Sequence, residues 1–360
     1  MNNILCFIEA GTAATRQHGL SPRLLITMFF RKFAFVLLLL ILAGGSALPA
    51  QAPGLKYVAE GNSPELLATY EAWFGHTSHI AVTYSSDDER VLRDQIDRAK
   101  KMGITAFVVD WYGDREPYID RNYALLQKVA GKRHFHVAMM YDLSGVHPGD
   151  TNQVIADLTE FQKLYLDKHS AGHDAYLTFA NRPVIFVFPA GIDVDWDRVR
   201  SVVNQWDQPP LLIGENFGGK YANDFDGYYP WISPGPKGWS ADGSNWGEDY
   251  LAGFYQQAMK HAADKIIVGG AWASFDDSKA SWGENRHIAA RCGQTLRDTM
   301  NLWKRYVPAG QVIPFLMIET WNDYEEGSAI EGGIPACAGQ PAPKSLQAEE
   351  QPGPPSAGAR

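Results

Sequence analysis

The sequence predicts an α/β fold, a single-domain (β/α)8 TIM barrel. Three observations lead there. Eight short apolar runs between Leu66 and Glu331 alternate with helix-like stretches. Most of these runs are continuous rather than alternating, as in strands covered on both faces. No G-x-G-x-x-G follows any of them, which ranks the doubly wound sheet second. Eight strand–helix units over about 250 residues is the count of a barrel.

Upstream of the first unit, "MFFRKFAFVLLLLILAGGSALPAQA" (28–52) has a basic start at Arg31-Lys32, an apolar run and the small-residue end Ala50-Gln51-Ala52. The apolar run is shorter than the ~20 residues that span a bilayer. We therefore expect residues 28–52 to be a cleaved signal peptide. Residues 1–27 read as a mis-assigned upstream extension, and residues 53–334 as the barrel. The mature protein is expected to be secreted or periplasmic, monomeric and without a membrane span.

In chain order the strands are expected at Leu67–Phe74, Ile104–Asp110, Phe135–Tyr141, Pro183–Phe188, Leu211–Glu215, Phe225–Tyr229, Lys265–Ala271 and Val312–Glu319. Helices are expected in between. "DDERVLRDQIDRAKKMG" (87–103) opens on acids, closes on Lys100-Lys101 and Gly103, and repeats apolar residues every three to four positions. Residues 151–170, 193–206, 247–265 and 284–306 read the same way. "DVDWDRVRSVVN" (193–204) mimics a calcium loop but has Arg198 at the sixth place and Asn204 at the twelfth, so it reads as a helix start. Residues 335–360 are rich in Pro, Ala and Gly and read as a disordered tail. The eighth helix then has no sequence of its own. Either residues 53–66 cover that seam or the end of the chain is truncated or frame-shifted.

Composition narrows the function. The formal net charge is −9 and no long Lys/Arg run occurs, so nucleic acid is not an expected partner. The three cysteines are Cys6, Cys292 and Cys337. Cys292 and Cys337 could form a disulfide in an oxidising compartment or remain two unrelated thiols. With no C-x-x-C or H-E-x-x-H, neither a metal nor another cofactor is expected. Aromatic residues make up 12% of the chain, including eleven Trp and sixteen Tyr. Rings of this kind suit the C–H faces of sugars.

In a barrel, function gathers where strands end. The expected strand ends carry acids and aromatics almost throughout. From them we select Glu71, Trp73, Asp110, Trp111, Tyr112, Asp142, Glu215, Tyr229, Trp231, Asp276, Trp321 and Asn322 as candidate substrate contacts. Taken singly, each has an ordinary explanation as a cap, a turn or a core residue. "WNDYEEG" (321–327) adds Asp323 and Glu326 directly after the last apolar run. Closely spaced carboxyls split their pKa values, so one stays protonated near neutrality. Glycosidic cleavage needs such a pair, one acid and one base or nucleophile. Asp323 and Glu326 are therefore the expected catalytic residues, and a carbohydrate is the expected substrate.

"ETWNDYEEGSAIE" (319–331) resembles the segment that carries the catalytic acids in glycoside hydrolase families 71 and 99. "YEAWFG" (70–75), "GITAFVVDWYG" (103–113) and "FDDSKASWGENRHIAARCGQTLRD" (275–298) fit the same group. The resemblance covers about Leu66 to Glu331. It implies a (β/α)8 barrel and an endo-acting hydrolase of α-linked glycans. It also implies that Asp323 assists through a sugar 2-hydroxyl, with Glu326 as acid/base. Asp323 stands where family 99 has Glu, and Tyr324-Glu325 replaces its Trp-His pair. The alternatives are a glycan-binding barrel without catalysis and an exported scaffold, which would carry an apolar patch rather than an acidic mouth.

Overall fold

The computed structural model describes Tyr57 and residues 63–334, apart from 218–220, 222 and 262–263. The expected leader, upstream extension and tail all lie outside the described residues. Eight parallel strands close on themselves: β1 (Glu65–Tyr70), β2 (Ile104–Trp111), β3 (His136–Asp142), β4 (Arg182–Phe188), β5 (Leu211–Glu215), β6 (Gly227–Tyr229), β7 (Ile266–Ala271) and β8 (Phe315–Ile318). Each strand pairs with the next, and β8 returns to β1 with Glu65 opposite Phe315. This is the (β/α)8 barrel. The first strand ends four residues earlier than expected, at Tyr70, and the last ends one earlier, at Ile318, which leaves Glu71, Trp73 and Glu319 just beyond their strands.

Among the described residues, α1 (Glu89–Lys101), α2 (Pro117–Arg133), α3 (Thr151–Phe161) and α4 (Trp196–Val203) follow the first four strands. The helices α5 (Glu248–His261) and α6 (Gln294–Leu302) follow β6 and β7. Local chemistry sets their starts. Asp88, Asp150 and Asp195 each accept a backbone N–H of the first turn of α1, α3 and α4. Helix α2 has no such cap. It opens on Pro117 and buries Asn122 and Gln127 on its inner face, so its amphipathic pattern is blurred and our reading did not name it. The expected helix 284–306 shrinks to α6. Its first part instead forms a short antiparallel pair, with Ile288 opposite Phe275.

Two cores follow from the period of two along each strand. Leu67, Ala106, Val108, Ala138, Met140, Val184, Phe186, Ile213, Val268 and Met317 fill the barrel. Ala68, Phe107, Val109, Met139, Ile185, Leu212, Leu316 and Ile318 belong to the outer core beneath the helices. After β8 the chain folds back beside α1. Glu331 N–H donates to the Trp321 carbonyl at 2.8 Å. The Glu331 carboxylate accepts from Gln95 (3.0 Å), Tyr84 (2.9 Å) and Tyr324 (2.9 Å), and pairs with Arg98. No described helix is long and apolar enough to cross a membrane.

Candidate active site

The inward phase of the first strands brings acids to the C-terminal mouth. Glu71 follows β1, Asp110 and Asp142 lie at the ends of β2 and β3, and Asp323 and Glu326 come from the segment after β8. These five act on one another. Burial first, then Asp110, Asp323, Glu326 and Asp142, hold the Glu71 carboxyl well above the usual carboxylate range. Asp110 is raised in the same way, by burial and then by Asp142, against the Tyr112 hydroxyl that donates to it. Asp142 is raised by burial, although Ser144 N–H donates to it at 2.6 Å.

The pair after β8 is fixed by the backbone. Asp323 Oδ1 accepts the N–H groups of both Glu325 and Glu326, each at 2.9 Å. Asp323 N–H in turn donates to Thr320 Oγ1 at 2.7 Å. Burial, followed by the Glu326 charge, pushes Asp323 up to about 8. Burial also raises Glu326, opposed by Trp282 Nε1, which donates to Glu326 Oε1 at 2.9 Å, and by Arg286. Both carboxyls of the pair are thus held above the usual carboxylate range, each first of all by burial.

An aromatic rim stands over this pair. The Trp73 ring lies flat on His79, with centroids 4.5 Å apart and planes 5° apart, and Trp282 meets both edge-on. His79 Nδ1 sits 2.7 Å from Glu325 Oε2, and Ile80 N–H donates to Glu325 Oε1 at 3.1 Å. Glu325 thus ties the 75–82 loop to the segment after β8. Buried Asp277 holds the opposite loop by accepting from Glu284 N–H (3.1 Å), Arg286 N–H (2.6 Å) and Arg286 Nε (2.6 Å).

Of the expected site residues, the structure gathers Glu71, Asp110, Tyr112, Asp142, Asp323 and Glu326 in one cluster. Glu215, Tyr229 and Trp231 stand on the β5–β6 side, and Trp73 lies at the rim. Three are corrected. Trp111 points outward because Asp110 points inward: it packs on Tyr141 and Phe161 and donates to Asp120 at 2.9 Å. Trp321 also packs in the outer core, against Phe107 and under Arg98. Asn322 is buried, and its amide bonds the backbone of Glu71. Asp276 is exposed beside the pair: its N–H donates to the Glu326 carbonyl at 2.7 Å, and its side chain accepts Ser278 N–H at 3.1 Å.

Other residues at the mouth were not among those selected. Glu319, at the end of the last expected strand, continues the inward set of Phe315 and Met317. Trp282 lies within residues 275–298. His79 and Tyr250 carried no signal. Cys292 is disulfide-bonded, and its partner lies outside the described residues.

No protein-family model matches this sequence, and no curated protein matches it. Solved structures do. A family 99 endo-α-mannosidase from Bacteroides thetaiotaomicron superposes with TM-score 0.59 at 17% identity, over 74% of this chain and 87% of that one. The same enzyme in complex with bis-tris-propane gives TM-score 0.58 at 18% identity, over 74% and 86%. A glycoside hydrolase-like protein gives 0.56 at 12% identity, over 81% and 93%. The fold is that of these glycoside hydrolases.

Proposed function

We propose that this protein is an exported glycoside hydrolase that cleaves α-linked bonds within a glycan, using Asp323 and Glu326. The observation that carries the reading is the pair itself. Two carboxyls three residues apart, one oriented by two backbone N–H groups and both raised above the usual carboxylate range, sit beneath an aromatic rim. Glycosidic cleavage requires such a pair, one member protonated and the other ionised.

Glu326 is the less buried of the two and is assigned to the glycosidic oxygen as acid/base. Asp323 lies behind it and acts on a neighbouring sugar hydroxyl. Trp73, His79 and Trp282 offer ring faces and edges to the sugar at the rim. The resemblance of the 319–331 segment and the named structural neighbours support the same class. Export rests on the 28–52 pattern, and the disulfide at Cys292 agrees with an oxidising compartment.

The test is a product-release screen of the purified protein on α-mannans and α-glucans, with Glu326→Gln as the control. Release by the wild type alone supports the reading. Glycan binding without release from any substrate would make the protein a glycan-binding barrel. N-terminal sequencing of the exported form tests the leader.

A further inference from the structure

The segment after β7 grips Glu326 at two points. Asp276 N–H donates to the Glu326 carbonyl at 2.7 Å, and Trp282 Nε1 donates to Glu326 Oε1 at 2.9 Å. The next residue is held as well, since Ser274 Oγ donates to the Gly327 carbonyl at 2.8 Å. A Cβ at Gly327 would come within 3.0 Å of Asp276 Cβ, so the two segments pack backbone against backbone.

Trp282 reaches Glu326 from the surface. Ser281, Glu284 and Asn285 around it are exposed, as is the indole itself. Its ring meets Trp73 and His79 only edge-on, with centroids 6.2 and 6.3 Å apart. Packing alone gives such a side chain little to hold it in one place.

The loop is closed at its base. Asp277 is fully buried. Its Oδ1 accepts Arg286 N–H at 2.6 Å, and its Oδ2 accepts Glu284 N–H at 3.1 Å and Arg286 Nε at 2.6 Å. The Arg286 guanidinium carbon lies 5.5 and 5.4 Å from the ring centres of Trp239 and Phe275, which fix it in turn. Residues 277–286 thus form a loop tied across its neck, with Trp282 at its tip. Breaking one partner out of a buried ion pair is strongly disruptive, so the loop keeps this shape only while the pair is intact.

We propose that the Asp277–Arg286 pair is a positioning device for the reaction, holding Trp282 against Glu326 and so keeping the acid/base in its working orientation. This rests on the hydrolase reading above and adds the residues that set up its acid. Both act through the indole rather than on the glycan. A carboxyl released from the indole would turn away from the glycosidic oxygen, and small misplacements cost rate.

Action through the indole and action by charge have opposite signs. The charged groups around Glu326 are Asp323 and Glu325 on its own segment, Asp277 and Arg286 on the loop, and Glu71 and Asp110 at the first two strands. Burial raises Glu326 most. The Trp282 N–H opposes it, followed by Arg286, while the Asp277 charge adds to the rise. Asp277→Asn acting by charge alone would move the limb of kcat/KM that Glu326 sets to lower pH. Acting through Trp282, it moves that limb to higher pH.

The first measurement needs no substrate. Indole N–H resonances of the full chain are followed by NMR against pH, and the Trp282 peak is identified by its loss in Trp282→Phe. It should titrate in the wild type and not in Glu326→Gln. Asp277→Asn should abolish that titration, with the other indole peaks still dispersed as in a folded protein. If this variant does not fold, Arg286→Gln decides by the same spectrum. A Trp282 peak that titrates as in the wild type in the variant overturns the inference. The second measurement is kcat/KM against pH on the glycan found by the product-release screen. Asp277→Asn should lower it about 10²-fold, move the Glu326 limb to higher pH, and add nothing further in a Trp282→Phe background. A limb moved to lower pH, or a fully additive loss, overturns the inference. Release from no glycan removes the hydrolase reading instead, and the indole titration still decides whether the pair holds Trp282 on Glu326.

Discussion

The side-chain amide of Asn322 closes on the backbone of Glu71, accepting its N–H at 2.8 Å and donating to its carbonyl at 2.9 Å. This pair joins the segment after β8 to the end of β1 and fixes where the Glu71 carboxyl enters the mouth. Asn322→Ala leaves both backbone groups buried and unpaired, at a cost of about 1–3 kcal/mol each. Denaturant unfolding should show a clearly lower midpoint. An unchanged midpoint would show that the clamp is not needed to close the barrel.

Glu326→Gln keeps the side-chain shape but can neither donate nor accept the transferred proton. Hydrolysis should fall by about 10²–10⁴, while glycan binding measured by calorimetry stays close to wild type. Full activity in this variant would remove Glu326 from the mechanism.

The pH dependence of stability has a definite sign. Asp323 is raised from 3.8 to about 8 in the folded protein, and burial raises Glu71, Asp110, Asp142, Glu215 and Glu319 as well. Between those limits the folded state holds more protons than the unfolded one, so stability falls as pH rises. Below about pH 4 the sign reverses. There Asp277, lowered because the N–H groups of Glu284 and Arg286 outweigh its burial, loses its charge and its partners. Thermal melts should peak under mildly acidic conditions and decline toward pH 8, and Asp323→Asn should flatten that decline. Melting that improves toward pH 8 would contradict the protonated mouth.

Trp282→Phe removes the N–H that holds Glu326 Oε1. With burial then less opposed, the Glu326 pKa rises, and the limb of the kcat/KM profile that Glu326 sets should move to higher pH. Trp282 is 45% exposed, so the fold should survive. A profile with neither limb moved would deny Trp282 this role.

The strands and most helices were legible because burying both faces of a strand leaves continuous Val/Ile/Leu runs, and acidic caps mark helix starts. The acid pair after β8 was legible too, since Asp323 and Glu326 are neighbours in sequence. Helix α2 was not named, because Asn122 and Gln127 on its buried face break the apolar period.

By itself the sequence determined which segments are strands, which strand ends carry acids and where the acid pair lies. It did not determine which way each side chain faces. A strand that is apolar on both sides has no visible phase, so Trp111 beside Asp110, and Trp321 before Asp323, looked as eligible for the mouth as the acids. Closure of β8 onto β1 decided the phase, sending both indoles outward and Glu319 inward. Closure also made neighbours of groups far apart in the chain. His79 meets Glu325, and Asn322 holds Glu71. Such contacts are chosen by barrel geometry acting across strands, and periodicity along a single strand carries no record of them.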